Sequence, residues 1–245
     1  MNEYKYNVHV GLPFRPTNPE QIGQDFLAMI DALSGFDPTL KDWGIPDPKD
    51  PEKALPLASR RPNFTKYVKY NARYDDWDRR DPDYGYFIFA ITRHETLEYN
   101  SKSVSFRLAT DSPSLNYFEF EVGSQYAPPK PPLLRFDLYK FALLKGLSIW
   151  PAPSGVAYYR LMTAGQAEGC IDPTFPYSGY HIPWMAYLDA ELSKKASVPA
   201  EIATERTPDG GLLMIATEEV LDPMNVEHMR RARIIAEIMI ATCGA

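Results

Sequence analysis

Between residues 74 and 86 the chain runs YDDWDRRDPDYGY, the densest gathering of chemically able side chains in the sequence. Asp75, Asp76, Asp78, Asp81 and Asp83 crowd around Tyr74, Trp77, Tyr84 and Tyr86. Paired carboxylates beside rings that can stack on a sugar are what glycoside hydrolysis needs, one acid to protonate the leaving oxygen and one to activate or replace water. The same residues also suit a protein-binding patch, with aromatic anchors inside an acidic field aimed at a basic partner. Arg73, Arg79 and Arg80 partly neutralise the run, so a solvated loop whose rings fold back on the core is a third reading.

Other candidates are weaker. His94, Glu95 and Glu98 in HETLE fall one histidine short of a zinc-protease helix, since Glu98 stands where the second ligand is required and no helical stripe surrounds it. His9, His94, His181 and His228 share no ligand spacing, so no metal or cofactor is expected. Cys170 and His181 lie in no known nucleophile signature, and no GxSxG elbow, phosphate loop or dinucleotide fingerprint occurs. No catalytic residue is therefore assigned. Asp47, Pro48 and Lys49 have the letters of a nuclease centre, but prolines 46, 48 and 51 argue against the paired strands such a centre needs. Trp43, with Asp37, Asp42 and Asp47 nearby, is either a lid on the core or a binding anchor.

Composition narrows the field. A chain of 245 residues with 44% hydrophobic and 24% charged residues is expected to fold without disulfides or metals. Its net charge of −6 disfavours nucleic acid as a partner, because that affinity rests on neutralising phosphates. Two cysteines, Cys170 and Cys243, make no disulfide framework and fit a reducing cytoplasm. The opening residues lack the basic, apolar, small-residue pattern of an export leader, so export is not expected, and no run approaches the roughly 18 apolar residues that cross a bilayer.

The elements that would position these residues follow from local pattern. Tyr4, Tyr6, Val8 and Val10 alternate with Lys5, Asn7 and His9, which predicts a strand with His9 on the face away from the apolar set. Asn18, Pro19 and Gln21 predict a helix start ahead of Ile22, Phe26, Met29, Ile30 and Leu33, with Gly35 closing it. From about 44 to 85 the sequence is rich in Pro and Asp and is expected to be an irregular insertion, with a short helix near Glu52 to Leu57. Tyr86 to Thr92, Ser103 to Thr110 and Leu115 to Val122 predict an antiparallel meander.

A second helix is expected on Leu134, Leu138, Phe141 and Ala142, ending near Gly146. Val156 to Met162 and Ile182 to Leu188 predict strands, and Trp150 and Trp184, beside prolines, are expected to be structural. Glu201 to Arg206, the turn Thr207 to Gly211 and Leu212 to Ala216 predict a hairpin. Asp222 and Pro223 predict the cap and first residue of a final helix with its stripe on Met229, Ala232, Ile235, Ala236, Ile238 and Met239. The whole predicts one α+β domain over 1–245, a mostly antiparallel sheet with a few packed helices.

Two stretches carry a resemblance. FLAMIDALSGFDPTLKDW (26–43), followed by EKAL (52–55), resembles the opening helix, the Asp-Pro, the tryptophan and the next short helix of the Imm52 family of immunity proteins from bacterial polymorphic toxin and type VI secretion systems. TPDGGLLMIATEEVLDPMNVEHMRRARIIAEIM (207–239) is similar to that family's closing hairpin, strand and helix. The resemblance implies a cytoplasmic, single-domain protein that binds and neutralises a cognate toxin, often a nuclease of restriction-endonuclease type, with no chemistry of its own. On that reading the toxin contacts are expected at Trp77, Asp78, Asp81 and Tyr84, with Asp75 beside them and Trp43 as a second choice. A carbohydrate-acting hydrolase using residues 74–86 is the alternative, and self-association into a homo-oligomer is a third.

Overall fold

A computed structural model describes residues 4–47, 50–72, 85–92, 104–113, 115–122, 133–161 and 181–243. Its strands are β1 (Tyr4–Gly11), β2 (Trp43–Asp47), β3 (Asp50–Pro56), β4 (Tyr86–Thr92), β5 (Val104–Thr110), β6 (Tyr117–Val122), β7 (Ser154–Leu161), β8 (His181–Leu188), β9 (Ala203–Arg206) and β10 (Leu212–Ile215). They form one open sheet in the order β3-β2-β4-β5-β6-β1-β7-β8-β10-β9, and every neighbouring pair is antiparallel. The helices are α1 (Pro19–Phe36), α2 (Leu57–Arg60), α3 (Phe64–Tyr70), α4 (Phe136–Ile149), α5 (Ala190–Ser193) and α6 (Val226–Cys243). The fold is α+β, as the order of elements predicts.

The strand alternation of β1 divides the sheet into two faces. Tyr6, Val8 and Val10 are buried on the side that carries α4, where Tyr139 reaches Tyr6 and Leu143 lies close to Gly155 beside Val10. Helix α1 starts as expected: the Asn18 side chain accepts from the Gln21 amide at 2.9 Å, and Ile22, Phe26, Met29, Ile30 and Leu33 face inward. Gln21 does not reach back to complete a capping box; its amide donates to Asp25 instead. Trp150 packs between Phe106 and Phe118, and fully buried Trp184 lies against Tyr6 and Tyr139, so both tryptophans are structural.

Several boundaries differ from the sequence expectation. Residues 43–47 and 50–70 fold as β2, β3, α2 and α3, and 52–56 are strand where a short helix is expected, while 73–84 of the expected insertion lie outside the described residues. Prolines are tolerated there because β4 pairs only with Trp43 and Gly44 of β2, and β3 is the terminal strand, so Pro46 and Pro56 deprive no inner ladder of a donor. A register shift at Pro46 and Asp47 absorbs the rest. Gly35 lies inside α1, whose last turn is closed by the Asp37 amide donating to the Leu33 carbonyl.

Gly146 does not end α4 either. It is a buried contact where any side chain would overlap the Phe118 ring. Asp222 caps a turn, accepting from Met224 at 2.9 Å, whereas α6 begins three residues later with Asn225 accepting from Glu227 and His228. The hairpin β9–β10 and the stripe of α6 match the expectation.

Candidate functional site

Two surfaces on opposite faces of the sheet stand out. On the α4 face, an open groove of about 1130 Å³ runs between α4, the end of α1 and the β9–β10 turn. Its walls are Phe36, Phe136, Phe141, Leu144 and Leu147, with Pro151, Ala152, Pro153 and Tyr187 below. Helix α4 creates it by being apolar on more than one stripe: Leu138, Tyr139, Ala142 and Leu143 are buried, while Phe136, Phe141 and Leu144 remain half-buried.

Polar contacts hold the groove's frame. Arg135 bridges Asp37 at 2.9 Å and Asp137 at 2.8 Å, tying the start of α4 to the end of α1, and its guanidinium lies over the Phe36 ring. Burial acts to raise the Asp37 carboxyl, but the Thr39 hydroxyl and amide together with Arg135 outweigh it and hold the group below its ordinary range. At the opposite wall Tyr187 donates to Asp209 at 2.6 Å, and the Gly211 amide donates to the same carboxylate at 3.2 Å, which fixes the turn. Burial, then Asp209, pushes the Tyr187 hydroxyl well up. Lys140 is committed to Glu205 of β9 at 2.6 Å.

The other face carries rows of polar side chains set by register. One row runs Phe89, Arg107, Glu119, His9 and Val156 across β4, β5, β6, β1 and β7. The next runs Ser105, Glu121, Asn7 and Tyr158, and Arg160 stands opposite His181. Glu119 accepts from Asn7 at 2.6 Å and from Arg107 at 3.0 Å, and Arg107 also reaches Glu121 at 3.5 Å.

A pocket of about 290 Å³ opens among His9, Tyr117, Glu119, Val156, Tyr158, Arg160 and His181. His9 stacks on Tyr117 with centroids 5.2 Å apart, and His181 meets the Tyr158 ring at 4.4 Å. Burial lowers the His9 imidazole, Glu119 opposes that, and Arg160 adds to it. Burial first, then Arg160 and His9, push His181 down to about 4, so both rings are neutral at pH 7.

The residues singled out in the sequence fare differently. Trp43 is a core residue, 3% exposed, its indole N–H donating to the Ser34 hydroxyl at 3.1 Å; this is the lid arrangement, and it leaves Trp43 no surface to offer a partner. Asp75, Asp76, Trp77, Asp78, Asp81, Asp83 and Tyr84 lie outside the described residues, as do His94, Glu95, Glu98 and Cys170. His228 is buried and accepts from the Asp222 amide through Nδ1, a folding role. Among the described residues, no group of three or more His, Cys, Asp or Glu is placed to hold a metal ion, and no helix is long and apolar enough to cross a membrane.

Neither the groove nor the union of His9 with His181 was legible as a site in the sequence. The one local signal for the groove is the second apolar stripe of α4, Phe136, Phe141 and Leu144.

No protein-family model matches the chain, and no curated protein matches it. Among solved structures it is similar to the Pseudomonas aeruginosa T6SS protein PA0821, with 14% identity and a TM-score of 0.46 over 99% of this chain and 72% of that one. A likeness of this degree assigns neither family nor function.

Proposed function

We propose that the protein is an immunity protein, which binds a cognate antibacterial toxin one-to-one and blocks it without chemistry of its own. The observation that carries this reading is where the two Imm52-like stretches meet. Phe36, from the first stretch, and Thr207, Pro208 and Asp209, from the second, stand on facing walls of the same apolar groove. Segments far apart in sequence thus frame one surface.

The groove's size supports a protein occupant. Small-molecule pockets span roughly 300–1,000 Å³ and are more enclosed, whereas this cleft of about 1130 Å³ is open along its length. Aromatic and aliphatic walls around a cleft are the setting in which a few anchors from a partner contribute most of the binding energy. The net charge of −6 favours fast encounter with a basic, nucleic-acid-cleaving toxin of restriction-endonuclease type. We place the complex in the cytoplasm of a cell that meets such toxins through a type VI secretion apparatus, and we assign the acidic and aromatic stretch 74–86 a second, electrostatic contact.

Co-expression tests the reading. A large reading frame found beside this gene, expressed alone, should arrest growth, and expression of the present protein should restore it. Growth arrest that persists in the presence of well-folded protein would refute the pairing.

A further inference from the structure

We infer that the pocket between β6, β1, β7 and β8 is a binding site for a small oxyanion, a phosphate or carboxylate group, held by Arg160 with His9 and His181. The inference does not depend on the toxin reading, because strand alternation places these residues on the face of the sheet away from α4 and its groove.

The cations on this face are not equivalent. Arg107 is committed: it binds Glu119 and Glu121 and lies over the Phe89 ring. Glu119 is likewise engaged, one oxygen accepting from Asn7 and the other from Arg107. Arg160 opens on the same pocket yet has, among the described residues, no carboxylate partner within ion-pairing distance. A half-buried guanidinium with no such partner among the described residues presents a planar fork of donors suited to two oxygens of one anion. Two imidazoles flank it, each pinned by a tyrosine ring, so their positions are set before any ligand arrives.

Among the described residues, the polar and aromatic groups facing the pocket are Glu119 and Tyr117 from β6, His9 from β1, Tyr158 and Arg160 from β7 and His181 from β8. Among the described residues lining the pocket, Glu119 is the one anion that would repel a ligand of like charge, and its charge is offset by Arg107 at 3.0 Å. The volume of about 290 Å³ suits a small charged ligand and is too small for a protein segment.

The site makes a prediction that a structural role for the same residues does not. A bound anion favours the charged imidazole, so occupancy should raise the His181 pKa from about 4 and binding should take up protons as pH falls. The experiment is a calorimetric titration of the intact protein with inorganic phosphate, and separately with acetate, at fixed ionic strength, paired with NMR of the histidine rings. We expect a saturable one-site isotherm for at least one anion and movement of the His9 and His181 resonances only. Phosphate binding alone would identify a phosphate site, and acetate binding alone a carboxylate site. Arg160→Met should weaken binding by at least about tenfold and Arg160→Lys by less, because the point charge survives without the fork. Absence of any saturable binding by the wild-type protein, or unchanged affinity in a folded Arg160→Met variant, would overturn the inference. The wild-type NMR titration decides the matter even if the variant fails to fold.

Discussion

Phe36 at the end of α1 and Phe141 in the middle of α4 stack with ring centroids 4.2 Å apart and planes inclined by 17°. This pair joins two helices and lines the groove at the same time, since both rings are half-buried and both face the cleft. Arg135 fastens the arrangement, spanning Asp37 and the Phe36 ring. The framing of the groove is therefore a product of helix packing, with polar ties at its two walls.

The tie between Arg135 and Asp37 should show in acid. The folded Asp37 carboxyl is held below its ordinary 3.8, so it contributes stability that is complete above that value and is lost as pH falls through the lower, folded value. Asp37→Asn should cost about 1–3 kcal/mol at pH 7, with the difference from wild type shrinking below about pH 4. Urea unfolding at pH 7 and pH 3 measures it, and an equal cost at both would contradict the charge-based account.

Gly146 tests close packing against helix propensity. A glycine in an exposed helix interior gains up to about 1 kcal/mol when changed to alanine. Here the added methyl would overlap Phe118, so Gly146→Ala should instead destabilise by about 1–3 kcal/mol. Chemical denaturation showing a gain in stability would mean that the ring yields freely.

The start of α6 can be located by substitution. Asn225 accepts from the amides of Glu227 and His228, so Asn225→Ala should cost about 1 kcal/mol. Asp222→Ala, which breaks only an exposed turn contact to Met224, should cost less. Equilibrium unfolding of the two variants in parallel gives the order, and the reverse order would move the cap back to Asp222.

For the stretch 74–86 the expectation concerns binding. Trp77→Ala combined with Asp78→Ala should lower toxin affinity by at least about tenfold while leaving the melting temperature nearly unchanged. Full affinity in the double variant would remove this stretch from the interface.

What could be read from the sequence was local. The alternation of β1 and the cap and stripe of α1 concern residues within a few positions of each other, and both came out as patterned. Proline was misleading at β2 and β3, because its cost depends on whether the strand has a hydrogen-bonded neighbour on that side, which only sheet order decides. Asp222-Pro223 has the chemistry of a helix start and of a turn alike; the competition was settled by His228 taking the Asp222 amide. The groove and the His9–His181 pocket depend on β1 lying between β6 and β7 with β8 beyond, a topology no local pattern encodes. Arg160 is ordinary in sequence and distinctive only beside two imidazoles.

Toxin binding through the groove is directly measurable. A purified candidate toxin should form a one-to-one complex with this protein by light scattering and calorimetry. Leu144→Lys, placing a charge on the half-buried groove wall, should weaken that complex by at least about tenfold at a stability cost of about 1 kcal/mol. A complex that forms with unchanged affinity in the Leu144→Lys protein, or no complex at all with the wild type, would contradict it.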